Sequence, residues 1–385
     1  MNIINKKYFR LILFLAPLLF GLQTFLPTYL ETPFIYFKLI ILPLILLYLL
    51  RTKKNIVWFY LIFLYLFLLS IFYSTTNFKV FTIYVLSIFS SIPLYLFGKF
   101  LINSKYDLSN FKYLIFGVNM FNVITLLIML LLSFGYLDMS LFFEQISRTD
   151  EAYLNIFRFA LGNAIEVPFI MSSFLFAGII LSQKDNKSET FPISAFLNLI
   201  LSIVSQSRIV IIIALILFIY QLHKSSWKIK TLIIAFVLLM VYYLSSYFDE
   251  VLLSSLDRMK GNDSGSSDER IIILNYILKY FWENNFLFGN GLTSVSELLR
   301  VVHGSFRTAE SLFLEILYDT GFFGIFLILG PILKNNLNHL IKGDYRLALI
   351  FTYIQMMFFL PVFPSMMFVF FVFGTCANNK IYNSN

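Results

Sequence analysis

Residues 191–222 read FPISAFLNLILSIVSQSRIVIIIALILFIYQL, two apolar runs separated by Ser205-Gln206-Ser207-Arg208. Taken as one helix, the stretch places Arg208 deep in an apolar environment, where an ionisable side chain is costly. Taken as two, it becomes a pair of short spans with the cation at the turn. Charge elsewhere in the chain decides between them. With a break near Ser207–Arg208, the cations of the short segments fall almost wholly on one side. They run from Lys6, Lys7 and Arg10 through Lys224, Lys228 and Lys230 to Lys380, and the opposite short loops hold only Lys79 and Arg208. Without the break every later loop changes sides and the asymmetry collapses. The positive-inside rule therefore selects the break.

The composition agrees with a lipid solvent. Of 385 residues, 59% are hydrophobic and 13% charged, about half the charged fraction of a soluble domain. A bilayer core takes roughly 20 helical residues, and qualifying runs lie near 8–26, 33–50, 56–74, 80–102, 113–137, 168–182, 191–207, 208–222, 231–248, 312–333, 347–363 and 365–378. The expected fold is all-α: a polytopic transmembrane bundle of about 12 spans, one integral-membrane domain over 1–385, with both termini in the cytoplasm. Two long segments, 138–167 and 249–311, face outward, the second before the last three helices. Within it, Gly261 to Ser267 reads as a flexible turn and Ile271 to Trp282 as a helix with apolar positions at Ile272, Tyr276, Leu278 and Phe281. The run Leu11 to Phe25 follows basic residues as a signal peptide does. Bulky residues follow it in place of a small-x-small site, so it reads as a retained first span.

Several chemistries are disfavoured. The net charge of +8 is scattered between apolar runs, unlike a nucleic-acid patch. One cysteine, Cys376, allows no internal disulfide. No phosphate-binding G-x-x-x-x-G-K-[ST] or zinc-binding H-E-x-x-H occurs, so neither a metal nor a cofactor is expected.

Polar residues collect in four places. Ser205 to Arg208 opens a helix with only about 14 apolar residues, about 21 Å long, which draws Arg208 toward the membrane; a snorkelling Arg at a helix end is the plainer alternative. Arg158 to Asn163 precedes the span that starts at Pro168, either as a re-entrant segment or as a simple turn. Ser264 to Arg270 leads to Phe288-Gly289-Asn290-Gly291. Gly289 and Gly291 can let backbone approach a phosphate, and Arg270 can bind one bidentately. Lastly, His303, Glu310 and Ser311 precede a span carrying Glu315, Asp319, Gly321 and Gly324. Helix-dipole capping explains Glu310 and Glu315 in part, and Asp319 poorly.

The order of these segments resembles the shared membrane domain of O-antigen ligases and Wzy-type O-antigen or capsule polymerases. The stretches that carry the resemblance are Ser205 to Arg208, Arg270 to Gly291, and Glu310-Ser311 followed by nine residues, Gly321, two residues and Gly324; Arg158 to Asn163 is similar to an earlier outer-loop stretch. Ligases carry a His before the [Asn/Ser]-x9-Gly-x2-Gly pattern, and here that position is Glu310. His303 lies seven residues earlier and does not fill the slot.

The resemblance implies a metal-independent glycosyltransferase of the bacterial inner membrane with a periplasmic active face. Its substrates would be undecaprenyl-pyrophosphate-linked oligosaccharides in membrane lipid, with a chain-length regulator as a partner and no nucleic acid. Glu310, or His303, is then the base. Arg270 and Arg208 stabilise the leaving pyrophosphate, and Arg158, Asn163, Ser205, Gly289 and Gly291 help bind substrate. The substituted His favours a polymerase over a ligase. A flippase or other secondary transporter is the alternative from another class. It is disfavoured because the ionisable residues gather at one face and no internal repeat is evident.

Overall fold

The computed structural model describes residues 6–25, 53–72, 91–92, 94–102, 111–133, 166–182, 191–204, 208–235, 264–303, 311–342 and 363–376. These residues are almost entirely helical, with no strand among them. The helices used below are α1 (Lys6–Phe25), α2 (Lys53–Phe72), α3 (Lys112–Ser133), α4 (Glu166–Ser182), α5 (Pro192–Val204), α6 (Arg208–Lys224), α7 (Ser264–Glu283), α8 (Ser294–His303), α9 (Leu312–Lys342) and α10 (Phe363–Thr375). Residues 94–102 and 227–235 are helical as well. The expected span at 33–50 lies outside the described residues, as do all but the last residue of 347–363 and most of 231–248.

The chain forms two compact units. One holds residues 1–37 and 105–263, the other 38–104 and 264–385.

In the first unit α1 and α3 make the most extensive pairing, and they run parallel. Phe9 meets Phe111 edge-on with centroids 6.2 Å apart, the Phe14 carbonyl lies where a Cβ on Gly117 would sit, and Gly21 faces Phe121. Two parallel spans need an odd number of crossings between them, a parity that three intervening spans satisfy. α4 is buried along its whole length from Val167 to Leu181, as a helix apolar all round should be. Its serines are satisfied internally: Ser173 donates to the Phe169 carbonyl at 2.9 Å, and Ser172 accepts from Asn198 Nδ2 at 2.8 Å.

The 191–222 stretch is two helices. α5 begins on Pro192, a favoured first helical position, and ends at Val204; α6 begins at Arg208. The pair folds back as an antiparallel hairpin, since the Phe191 amide donates to Gln221 Oε1 at 3.0 Å and Phe196 packs on Phe218 at 5.7 Å. The break that charge asymmetry requires is therefore present.

In the second unit α2 packs along α9, tied by Trp58 Nε1 donating to the Leu327 carbonyl at 2.9 Å. Gly98 and Gly374 let residues 94–102 and α10 approach backbone to backbone, and Phe97 stacks on Phe371. Among the described residues one helix, Phe313–Ile332 within α9, is long and apolar enough to cross a membrane. Shorter apolar helices include Lys112–Ile128, Val167–Leu181, Pro192–Ile203 and Val210–Lys224. Apolar side chains on α2, among them Leu61, Leu64, Phe67 and Ile71, are exposed. A water-soluble surface rarely carries so continuous an apolar strip.

Two details of the segment 249–311 differ from expectation. Ser264 to Ser267 are helical rather than a turn, with Ser, a favoured helix-start residue, at the first position. The buried face of α7 is Ile273, Ile277 and Phe281, while Ile272 and Tyr276 are exposed. Both series have i, i+4 spacing within the run Ile271-Ile272-Ile273, so periodicity alone did not separate them.

Candidate functional site: the broken helix and its glycine loop

α9 breaks within its apolar stretch. Gly321 has φ 67° and ψ −176°, a conformation open essentially to glycine. A break of this kind frees carbonyl and amide groups that have no water to turn to. The segment between α7 and α8 supplies their partners. Phe322 and Phe323 amides donate to the carbonyls of Phe286 and Leu287 at 3.0 and 2.9 Å, and Asn290 and Gly291 amides donate to those of Tyr318 and Asp319, both at 3.1 Å. Asn290 Nδ2 also donates to the Tyr318 carbonyl at 3.3 Å.

Glycine is required where the two backbones meet. A Cβ at Gly289 would collide with the Asp319 carbonyl and the Gly321 amide, and one at Gly321 with Gly289 and Leu287. Gly289 and Gly291 also have positive φ, 83° and 99°. From α2, the Tyr65 hydroxyl sits 2.8 Å from the Phe288 carbonyl and 2.6 Å from that of Thr320, its single proton shared between loop and helix.

Asp319 completes the joint. Its buried carboxylate accepts from the Thr293 amide at 2.8 Å, from Ser294 Oγ at 2.8 Å and from the Val295 amide at 3.1 Å. A carboxylate borrowed from α9 thus caps the first turn of α8, satisfying amides that a helix start leaves without partners. The same bond holds Thr293 at φ 68°, the one positive φ among the described non-glycine residues. Below the cap, Val295 and Leu299 join Ile273, Ile277, Phe281, Leu317 and Tyr318 in one apolar cluster. α8 was not anticipated, although Ser294 with Glu297 three residues on is a capping signal. Asp319 is a positioning residue here: it fixes the start of the helix that ends on His303. Ser311 occupies the N-cap position of α9, its carbonyl accepting from the Glu315 amide at 3.0 Å and its hydroxyl from the Leu314 amide at 3.4 Å.

A family model described as O-antigen ligase matches residues 193–329, from the second residue of α5 through the hairpin and the glycine loop to beyond the break in α9. That match places residues 193–329, about a third of the chain, in the O-antigen ligase/polymerase superfamily. Members of this superfamily are integral membrane proteins that act on lipid-linked polysaccharides. No curated protein and no solved structure matches the chain.

The residues expected to carry chemistry fall as follows. Arg208 opens α6 at the turn of the hairpin, in the first unit. Arg270 lies in the second turn of α7 and His303 is the last residue of α8, both in the second unit. What approaches Gly289 and Gly291 in the structure is the backbone of α9. Glu310, Ser205, Arg158 and Asn163 lie outside the described residues. Among the described residues no group of three His, Cys, Asp or Glu side chains is placed to hold a metal ion.

Proposed function

We propose that this chain is a polymerase that transfers a glycan from undecaprenyl pyrophosphate onto the end sugar of another lipid-linked repeat unit at the periplasmic face of the bacterial inner membrane. The observation that carries the choice within the superfamily is Glu310 in the slot that ligases fill with His, directly before the Ser311 cap of α9. The family match over residues 193–329 supports the substrate class, and the positive-inside asymmetry supports the topology of about 12 spans with cytoplasmic termini.

In the reaction the bond from the anomeric carbon to the pyrophosphate oxygen breaks, and its electron pair leaves with the pyrophosphate. The acceptor hydroxyl oxygen forms the new glycosidic bond, and its proton passes to the Glu310 carboxylate, with His303 as the alternative base. Arg208 and Arg270 stabilise charge developing on the pyrophosphate, which planar guanidiniums do bidentately and without a metal. Arg208 is well suited, because at the first residue of α6 the helix dipole adds to its charge. Arg158, Asn163 and Ser205 position the glycans.

Deletion in the native strain, with surface glycan and lipid-linked intermediates separated on a gel, tests the reading. A polymerase leaves single repeat units on the surface lipid. A ligase, the reading that the matching family's description favours, would leave none and accumulate long lipid-linked polymer. Arg208→Ala and Arg270→Ala are each expected to shorten or abolish polymer at normal protein level; unchanged polymer would remove the pyrophosphate role.

A further inference from the structure

The first unit carries a second feature, outside the family-matched region. A cavity of about 810 Å³ opens between α1 and α3, lined by Lys7, Tyr8, Arg10, Leu11, Phe14, Tyr113 and Phe116, a size typical of small-molecule sites. Its two ends differ chemically. At one, Lys7 and Arg10 contribute two cations, and the Arg10 guanidinium lies 5.3 Å from the centroid of the Tyr113 ring, which orients it as well as attracting it. At the other, Leu11, Phe14 and Phe116 are apolar, and Leu11 and Phe116 are 50% and 53% exposed, so the cavity opens sideways onto the surface that lipid would cover. The helices close again beyond it, where the Phe14 carbonyl meets Gly117.

We propose that this cavity binds an anionic glycerophospholipid, its phosphodiester held by Lys7 and Arg10 and the upper part of an acyl chain lying along Leu11, Phe14 and Phe116. Charge complementarity selects an anion, and the apolar lateral opening selects one with a tail. The positive-inside rule puts Lys6, Lys7, Arg10 and Lys112 at the cytoplasmic face, where anionic headgroups meet basic pockets between helices. The full chain in nanodiscs tests this by lipid retention in native mass spectrometry, with phosphatidylglycerol, phosphatidylcholine, undecaprenyl phosphate and inorganic phosphate offered separately.

Each cation is expected to contribute a factor of roughly 5 in affinity, so Lys7→Gln/Arg10→Gln loses phosphatidylglycerol by roughly 25-fold. Because that variant also alters the basic N-terminal segment, Leu11→Trp serves as a second one. It fills the apolar end, keeps both cations, and is expected to reduce retention as well. Equal retention of phosphatidylcholine and phosphatidylglycerol by the wild type would overturn the proposal. So would wild-type retention by both variants, binding of inorganic phosphate as tight as that of the lipid, or a preference for undecaprenyl phosphate.

Discussion

Removing the Asp319 carboxylate should loosen the joint between α8 and α9, and the structure sets the size of the effect. Asp319→Ala deletes three hydrogen bonds and leaves the Thr293 and Val295 amides buried. Interhelical hydrogen bonds in membrane proteins average about 0.6 kcal/mol each, which gives a floor of about 2 kcal/mol. Two orphaned buried donors at up to about 3 kcal/mol each give a ceiling of about 6. Asp319→Asn is milder: its amide oxygen can still accept from Ser294 and Val295, while its NH2 faces the Thr293 amide. That loses one bond, about 1–2 kcal/mol. The assay is heat inactivation of the detergent-solubilised protein, followed by size exclusion of the surviving monodisperse fraction. Wild type, Asn and Ala should fall in that order of stability, and polymer in cells should fall with folded protein. Wild-type heat resistance of Asp319→Ala, or a less stable Asn than Ala variant, would refute the capping argument.

Gly321→Ala should destabilise by at least about 2 kcal/mol, because the added Cβ meets Gly289 and Leu287 at a dihedral pair that itself costs about 1–3 kcal/mol; the same heat-inactivation series measures it. Tyr65→Phe should cost about 1 kcal/mol through loss of the shared hydroxyl bond, with the fold retained, visible as a small shift in inactivation temperature. Gly117→Leu should separate α1 from α3, since even a Cβ there meets the Phe14 carbonyl; paired cysteines at positions 9 and 111 would then cross-link less than in the parent.

The sequence by itself pointed to lipid as the solvent, to a break in residues 191–222 near Arg208, and to where most of the described helices lie. Each of these rests on a signal local to the chain: hydrophobic run length, charge asymmetry, or proline at a helix start. It also exposed the spacing Gly289, Gly291, Gly321, Gly324 that carries the family resemblance. It did not reveal what those first three glycines do, because glycine marks a close backbone approach without naming what approaches. Nor did it choose between Ile272 and Ile273 for the buried face of α7. Only the tertiary structure decided that the glycine loop docks into a break in α9, and that the Asp319 carboxylate caps α8. The physical reason is that these bonds join residues 24 to 36 positions apart. An amide or carbonyl freed by a helix break shows no trace in the sequence of the partner that satisfies it.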